Sequence, residues 1–149
     1  MLKVLNLIES MDPKQGGPPE AIRNLKRSLN KKKKIIYVLS VDNFTFLQIL
    51  KFIFYKKSKL KICKFINKFD ILHCHSIWNY KIILLAQISN SLGLKVIFSS
   101  HGYLDDWSLR RSIIKKKIFL FLILNKLLLN AKLFFSNIGE YNESKKKIK

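Results

Sequence analysis

The residues with the clearest chemical potential are His101 and a pair of glycines, Gly16 and Gly17. An imidazole titrates near neutral pH, so His101 can form hydrogen bonds to a ligand or stabilise charge that develops in a transition state. Adjacent glycines let the backbone approach a ligand closely, and the free N–H groups of a helix start attract phosphate or carboxylate. The chain has no G-x-G-x-x-G pattern at the glycines, so a simple loop remains an alternative interpretation for them. A turn cap remains the alternative for the histidine.

A second polar cluster, HCHSIWNY, occupies residues 73–80. His73 and His75 lie on the same side of a predicted strand, because side chains alternate along a strand. We expect His73 to be a hydrogen-bonded, partly buried histidine, and His75 to reach a ligand cleft from the end of the strand. Trp78 and Tyr80 are each interpreted either as a core aromatic or as a platform for a sugar ring. The spacing matches no common zinc pattern, so we expect no metal.

The segments around these residues alternate between apolar runs typical of strands and longer stretches with helical periodicity. Such alternation predicts a parallel sheet with right-handed crossovers, and therefore an α/β, Rossmann-like fold with helices on both faces of the sheet. Ligands bind at the carboxyl ends of the strands in open sheets of this kind, which predicts one cleft for His101 and the glycine pair. The predicted strands span 3–8, 35–39, 71–75, 95–99 and 132–136, and the predicted helices begin at 18, 79, 107 and 141, with a further helix-prone stretch at 44–69.

Composition predicts one globular domain with a basic surface. The chain has 149 residues, 48% of them hydrophobic, which is enough for a core of ordinary domain size. Two cysteines and the lack of a signal-peptide pattern at the start indicate a cytoplasmic, reduced protein with both thiols buried and inert. The formal charge of +20 favours an anionic partner, although biased base composition would give the same lysine content.

The most apolar stretch, residues 118–124, is far shorter than the ~20 residues that cross a bilayer. It is either a core helix or a helix that lies on a membrane. With the lysines at 115–117 it suggests an alternative function, a basic peripheral module that docks on an anionic membrane surface without catalysis. We do not expect a nucleic-acid partner, because the charge is not accompanied by a recognised nucleic-acid motif.

Three motifs occur in order along the chain: GGPPEA at 16–21 with Asn24 and Leu25, DILHCHSIWNY at 70–80, and HGYLDDW at 101–107 with Arg110 and Arg111. Together they resemble the N-terminal half of a family-4 glycosyltransferase. That family has the GT-B fold, in which two Rossmann-like domains face each other across a cleft. Its members transfer a sugar from a nucleotide-sugar donor with retention of configuration, typically without a metal or other cofactor. The resemblance covers essentially the whole chain, and therefore implies one domain, 1–149, on the acceptor side of the fold.

The resemblance also implies roles for individual residues. Gly16 and Gly17 match the loop that lies against the donor diphosphate, and His101 matches a histidine that hydrogen-bonds the transferred sugar. Asp106 departs from a proline common at that position, which affects only the stiffness of the loop. The acceptor side would be lined by His75, Trp78, Asn79 and Asp105, with Arg110 placed to bind an anionic acceptor.

The implied function is transfer of a sugar to a polysaccharide or lipid-linked acceptor of the cell envelope. The protein would work in the cytoplasm or peripherally on the inner face of the plasma membrane. The family's donor-binding C-terminal domain, whose glutamates and basic residues stabilise the departing diphosphate, has no counterpart in these 149 residues. We therefore expect negligible transfer by this chain alone, since half a cleft can neither stabilise the leaving group nor orient two substrates.

Overall fold

A computed structural model describes residues 2–31, 35–102 and 130–145 of the chain. Within these ranges, five parallel strands form one sheet in the order β2-β1-β3-β4-β5, which confirms the α/β fold class. The strands are β1 (Val4–Ile8), β2 (Tyr37–Ser40), β3 (Ile71–Cys74), β4 (Lys95–Ser99) and β5 (Lys132–Phe134). The helices are α1 (Gly17–Lys31), α2 (Phe46–Phe54), α3 (Lys56–Ile66), α4 (Tyr80–Ser91) and α5 (Ile138–Lys145).

The strand order places helices on both faces of the sheet. The chain moves from β1 to β2 in one direction, and from β2 through β3 and β4 to β5 in the other. Because such crossovers are right-handed, α1 covers one face of the sheet while α2, α3 and α4 cover the opposite face. The fold is therefore Rossmann-like, with a reversal of direction between β1 and β3.

The main hydrophobic core lies on the face that α3 and α4 cover. Alternate residues of the three central strands point into it, as the period of a strand requires. This face buries Leu5, Leu7, Leu72, Cys74, Val96 and Phe98 against Ile62, Ile66, Ile82, Leu85 and Ala86.

The α1 face of the sheet is different, because it carries a polar cluster. Asn6 of β1 is paired in register with His73 of β3, and Ser99 ends β4 on the same side, beyond the apolar Ile97. Asn6 and Ser99 are buried and His73 is half-buried. Parallel sheets are usually apolar on both faces, so these three polar side chains indicate a role other than core packing.

The helix-prone stretch at 44–69 forms two helices. Tyr55 has an extended backbone, with φ −96° and ψ 111°, and separates α2 from α3. Thr45 and Gln48 form a reciprocal capping box at the start of α2, a T-x-x-Q signal that the sequence interpretation missed.

Other boundaries differ by a few residues. The prediction of β2 began two residues too early, and the last helix begins at Ile138 rather than at 141, because the Asn137 side chain accepts a hydrogen bond from Glu140 N. The helix predicted from 107 to 130 lies outside the described residues. No helix within the described ranges is long and apolar enough to cross a membrane.

The two cysteines are in different environments. Cys74 is fully buried in the core, and burial raises the pKa of its thiol well above the usual range. Cys63, on α3, is only half-buried, so the expectation that both thiols are buried is wrong for this one.

We expect iodoacetamide to alkylate Cys63 in the native protein at least about a hundredfold faster than Cys74, since the thiolate is the reacting species. Mass spectrometry of tryptic peptides after timed labelling measures both rates. Equal rates in the folded protein would contradict the burial of Cys74, and equal rates in denaturant serve as the control.

Candidate functional site

Four of the predicted site residues, Gly16, Gly17, His75 and His101, follow strands at the carboxyl edge of the sheet. The chain reverses direction between β1 and β3, and in open α/β sheets this switch point is where ligands bind. Residues 9–16 follow β1 at this edge and lead into α1, His75 follows β3, and His101 follows β4. Topology therefore places the glycine pair and both histidines along one rim.

A chain of hydrogen bonds connects His101 to the interior of the sheet. Nε2 of His101 lies 3.0 Å from Nδ1 of His75, and the two rings are stacked with centroids 5.3 Å apart. Nε2 of His75 lies 3.1 Å from Oδ1 of Asn6. The other end of that amide, Nδ2 of Asn6, donates to the carbonyl oxygen of Tyr37 at 3.3 Å.

This series of hydrogen bonds assigns the positions of the ring protons on His75 and His101. The Asn6 amide nitrogen must face the Tyr37 carbonyl, which leaves only its oxygen to face His75. Nε2 of His75 therefore donates, and its Nδ1 accepts. Nε2 of His101 must in turn donate to that Nδ1, so a neutral His101 carries its proton on Nε2 and keeps a lone pair on Nδ1.

The histidines of this site are neutral near pH 7. Burial, with a smaller contribution from His101, lowers the pKa of His73 to about 4. Burial and the neighbouring rings of His73 and His101 lower the pKa of His75 to about 3. Burial also lowers the pKa of His101, against an opposing effect from Glu140. Such imidazoles orient a ligand by hydrogen bonds and do not bind it as fixed cations.

Glu140 of α5 holds the loop that carries His101. Its carboxylate, only 5% exposed, accepts hydrogen bonds from Ser100 Oγ at 2.6 Å, Gly102 N at 2.5 Å and Ser136 N at 2.7 Å. Burial alone would raise the pKa of Glu140, but these donors and His101 hold it below its ordinary value. The carboxylate is therefore ionised, and it ties the end of β4 to the start of α5.

The backbone of His101 has an uncommon conformation. Its φ is 44°, in the left-handed region that residues other than glycine rarely adopt, and Gly102 follows with φ 77°. Such conformations persist where the surroundings impose them, and they cluster at functional sites. The hydrogen bonds of Glu140 to both neighbours of His101 supply that constraint here.

The glycine loop, residues 9–16, is ordered by local contacts, and the space beside Gly16 and Gly17 is open. The Asp12 side chain accepts from Lys14 N at 2.9 Å, and Arg23 donates to the carbonyl oxygen of Met11 at 2.9 Å. Gly16 has φ 82°, which requires glycine, whereas Gly17 begins α1 with an ordinary φ. A Cβ added at either glycine would meet no atom within 4 Å, so there is open space in front of this helix start.

The remaining predicted site residues have various surroundings. His75 is 5% exposed and contacts His101, so it supports that ring from behind. Asn79 caps α4, with Oδ1 accepting from Lys81 N and Ile82 N, and Trp78 packs half-buried against the main core. Asp105 and Arg110 lie outside the described residues.

Asn6, Ser99 and Glu140 belong to this site but were missed in the sequence. Ser99 Oγ lies 2.7 Å from Nε2 of His73, and the Asn6 and Glu140 contacts are given above. A signal existed for Glu140 alone, because Ser136 precedes it by four residues and Asn137 by three, as at capped helix starts. Within the described residues, no group of three His, Cys, Asp or Glu side chains is arranged to hold a metal ion.

Comparison with protein-family models, curated proteins and solved structures finds no match to this chain.

Proposed function

We propose that this chain forms the acceptor-side domain of a retaining glycosyltransferase that uses a nucleotide-sugar donor. The observation that carries the proposal is the arrangement of His101, whose backbone is held in the left-handed region and whose Nε2 proton is engaged by His75. It lies on the same rim of the sheet as the open glycine loop. The motifs in the sequence that resemble the family include both features.

In this proposal the helix start binds phosphate and His101 binds sugar. The N–H groups at the beginning of α1 and the positive end of its dipole favour the donor diphosphate beside Gly17. Nδ1 of His101 accepts a hydrogen bond from a hydroxyl of the transferred sugar. Because its pKa is lowered, His101 orients the sugar and is a weak general base. In the transfer, the bond from the anomeric carbon to the diphosphate oxygen breaks, a bond to an acceptor hydroxyl oxygen forms, and the proton of that hydroxyl passes to the departing diphosphate.

The Gly17→Ala variant tests the phosphate site without disturbing the fold. The added methyl has open space in the protein and a compatible backbone, so we expect an unchanged or slightly raised free energy of unfolding. It would stand between the helix start and a diphosphate, and we expect about tenfold weaker binding of UDP-glucose or GDP-mannose. NMR titration of the full chain measures this affinity and shows whether the signals of Gly16, Gly17 and His101 move.

Two controls accompany that titration. Ser28→Ala changes an exposed residue near the other end of α1 and should leave the affinity unchanged. Inorganic pyrophosphate should shift the glycine signals but not those of the His101 ring. Shifts confined to lysine-rich surfaces, or equal affinity in Gly17→Ala, would contradict the proposal.

The acceptor side of the proposal rests on the resemblance. A polysaccharide or lipid-linked acceptor at the inner face of the plasma membrane fits an acceptor-side domain with a strongly basic surface. The alternative function, a membrane-binding module without catalysis, was assigned to 115–124, and this segment lies outside the described residues. A different, described surface bears on membrane binding, independently of sugar transfer.

A further inference from the structure

Helices α2 and α3 expose large apolar side chains to water. Leu47 is 67% exposed, Phe54 75%, Tyr55 65% and Leu60 51%. We call the exposed side of these two helices the α2–α3 surface, defined by these four residues and the exposed lysines of residues 43–69. The orientation of the helices is set by their buried side, because Ile49, Ile62 and Ile66 are packed inward.

Every charged side chain on the same surface is basic. The sequence from 43 to 69 contains seven lysines and no acidic residue, at positions 51, 56, 57, 59, 61, 64 and 68. Each of these lysines is exposed. The surface therefore combines apolar and positively charged groups without an acidic side chain to neutralise them.

Helical spacing interleaves the two kinds of side chain. Lys51 lies four residues from Leu47 and three from Phe54, which places all three on one stripe of α2. On α3, Leu60 has Lys56, Lys57 and Lys64 as its three- and four-residue neighbours. Each exposed apolar side chain therefore has a cation beside it.

We propose that the α2–α3 surface docks on an anionic lipid bilayer. Phe54 and Tyr55, at the junction of the helices, would enter the boundary between head groups and acyl chains, while the lysines contact the head groups. A bilayer with negative lipids offers an apolar layer and a negative layer at once, which matches this surface. A nucleic acid would satisfy the lysines but leave Leu47 and Leu60 in water. The proposal does not depend on sugar transfer.

The test is sedimentation of the full chain with vesicles of phosphatidylcholine alone and with 30% phosphatidylglycerol. We expect binding to the anionic vesicles that weakens steeply with salt and is at least about tenfold weaker to the neutral vesicles. The double variant Phe54→Ser with Tyr55→Ser should lower the affinity for anionic vesicles about tenfold or more. Leu2→Ser is the matched control, because Leu2 is 65% exposed and lies just before β1, outside the α2–α3 surface. This variant should bind as the parent chain does.

A second pair of variants separates this surface from the overall charge. Lys56→Gln with Lys64→Gln removes two charges from the surface and should weaken binding about 25-fold, at about fivefold per lysine. Lys26→Gln with Lys95→Gln removes the same charge from exposed positions elsewhere and should weaken it much less. Melting followed by circular dichroism checks that each variant is folded, and Leu60→Ser replaces the aromatic variant if that one is not.

Several results would overturn the proposal. One is an equal loss of vesicle binding in the two lysine-pair variants, which would show that binding depends on the overall positive charge of the chain and not on this surface. Another is unchanged binding when Phe54 and Tyr55 are replaced. A third is a self-associated chain that these replacements convert to monomers, since the surface would then contact a second copy of the chain. Salt-sensitive RNA binding with no vesicle binding would assign the lysines to nucleic acid and also reject it.

Discussion

Lowering the pH from 7 to 5 is expected to reduce the free energy of unfolding by about 4 kcal/mol. The effect comes from His73 and His75, whose pKa values in the folded protein are about 4 and about 3. An unfolded histidine has a pKa near 6.5, so below that pH the unfolded state binds protons that the folded state does not. Stability therefore falls with decreasing pH, by about 2 kcal/mol for each of these two histidines at pH 5.

The pH range of the effect identifies the histidines as its source. The chain has three histidines, and histidine is the side-chain type that ordinarily changes charge between pH 5 and pH 7. His101 contributes in the same direction, because its pKa is also lowered. Below pH 5 the loss should continue until His73 and then His75 are protonated in the folded state.

Urea unfolding at pH 5, 6 and 7 measures the dependence. His73→Gln is the matched variant: it should lose about half of the difference between pH 7 and pH 5, because one of the two strongly shifted groups is removed. A free energy of unfolding that is level between pH 7 and pH 5 would show that the imidazoles are not held neutral, and the hydrogen-bond chain through Asn6 would then be wrong.

The replacement Glu140→Ala is expected to lower the free energy of unfolding by about 3 kcal/mol. It leaves three donors without their acceptor, Ser100 Oγ, Gly102 N and Ser136 N, and two of these flank His101. The buried hydroxyl of Ser100 has lost its charged partner in the variant, and the loop after β4 is no longer tied to α5. Urea unfolding at pH 7 measures the loss, and the NMR signals of His101 should broaden or shift.

Two further variants calibrate this result. Glu140→Gln keeps one acceptor oxygen, so we expect a loss of about half that size. Asn142→Ala alters an exposed residue on the same helix and should change stability by less than about 0.5 kcal/mol. A Glu140→Ala protein as stable as the Asn142→Ala protein would contradict the role assigned to this carboxylate.

Local sequence signals were sufficient, to within a few residues, for the five described strands and for α1, α4 and α5. The run at 95–99 between Gly93 and a polar segment matches β4 at both ends, because a β-branched, apolar run with turn residues beside it has few alternatives. The alternation of strands and helices was likewise enough for the parallel sheet. Boundaries that depend on side-chain caps, such as Thr45 for α2 and Asn137 for α5, were missed.

The sequence placed His101 and the glycine pair after β-strands, and parallel pairing is sufficient to bring such positions to one rim. It held no information on which partners His101 would have. The hydrogen-bond chain joins residues 69 positions apart in Asn6 and His75, and 26 apart in His75 and His101. Contacts of this range depend on strand order and register, which local periodicity does not encode.

The pattern of residues along the chain thus specified the α/β fold and the edge of the sheet where its polar side chains gather. Packing in three dimensions settled the chemistry of that edge. Burial makes the imidazoles neutral, the Asn6 amide sets the tautomers of His75 and His101, and Glu140, 39 residues further along the chain, imposes the left-handed turn at His101. The physical reason is that pKa values, tautomers and strained backbone conformations respond to what surrounds a group in space, and sequence neighbours supply only a small part of those surroundings.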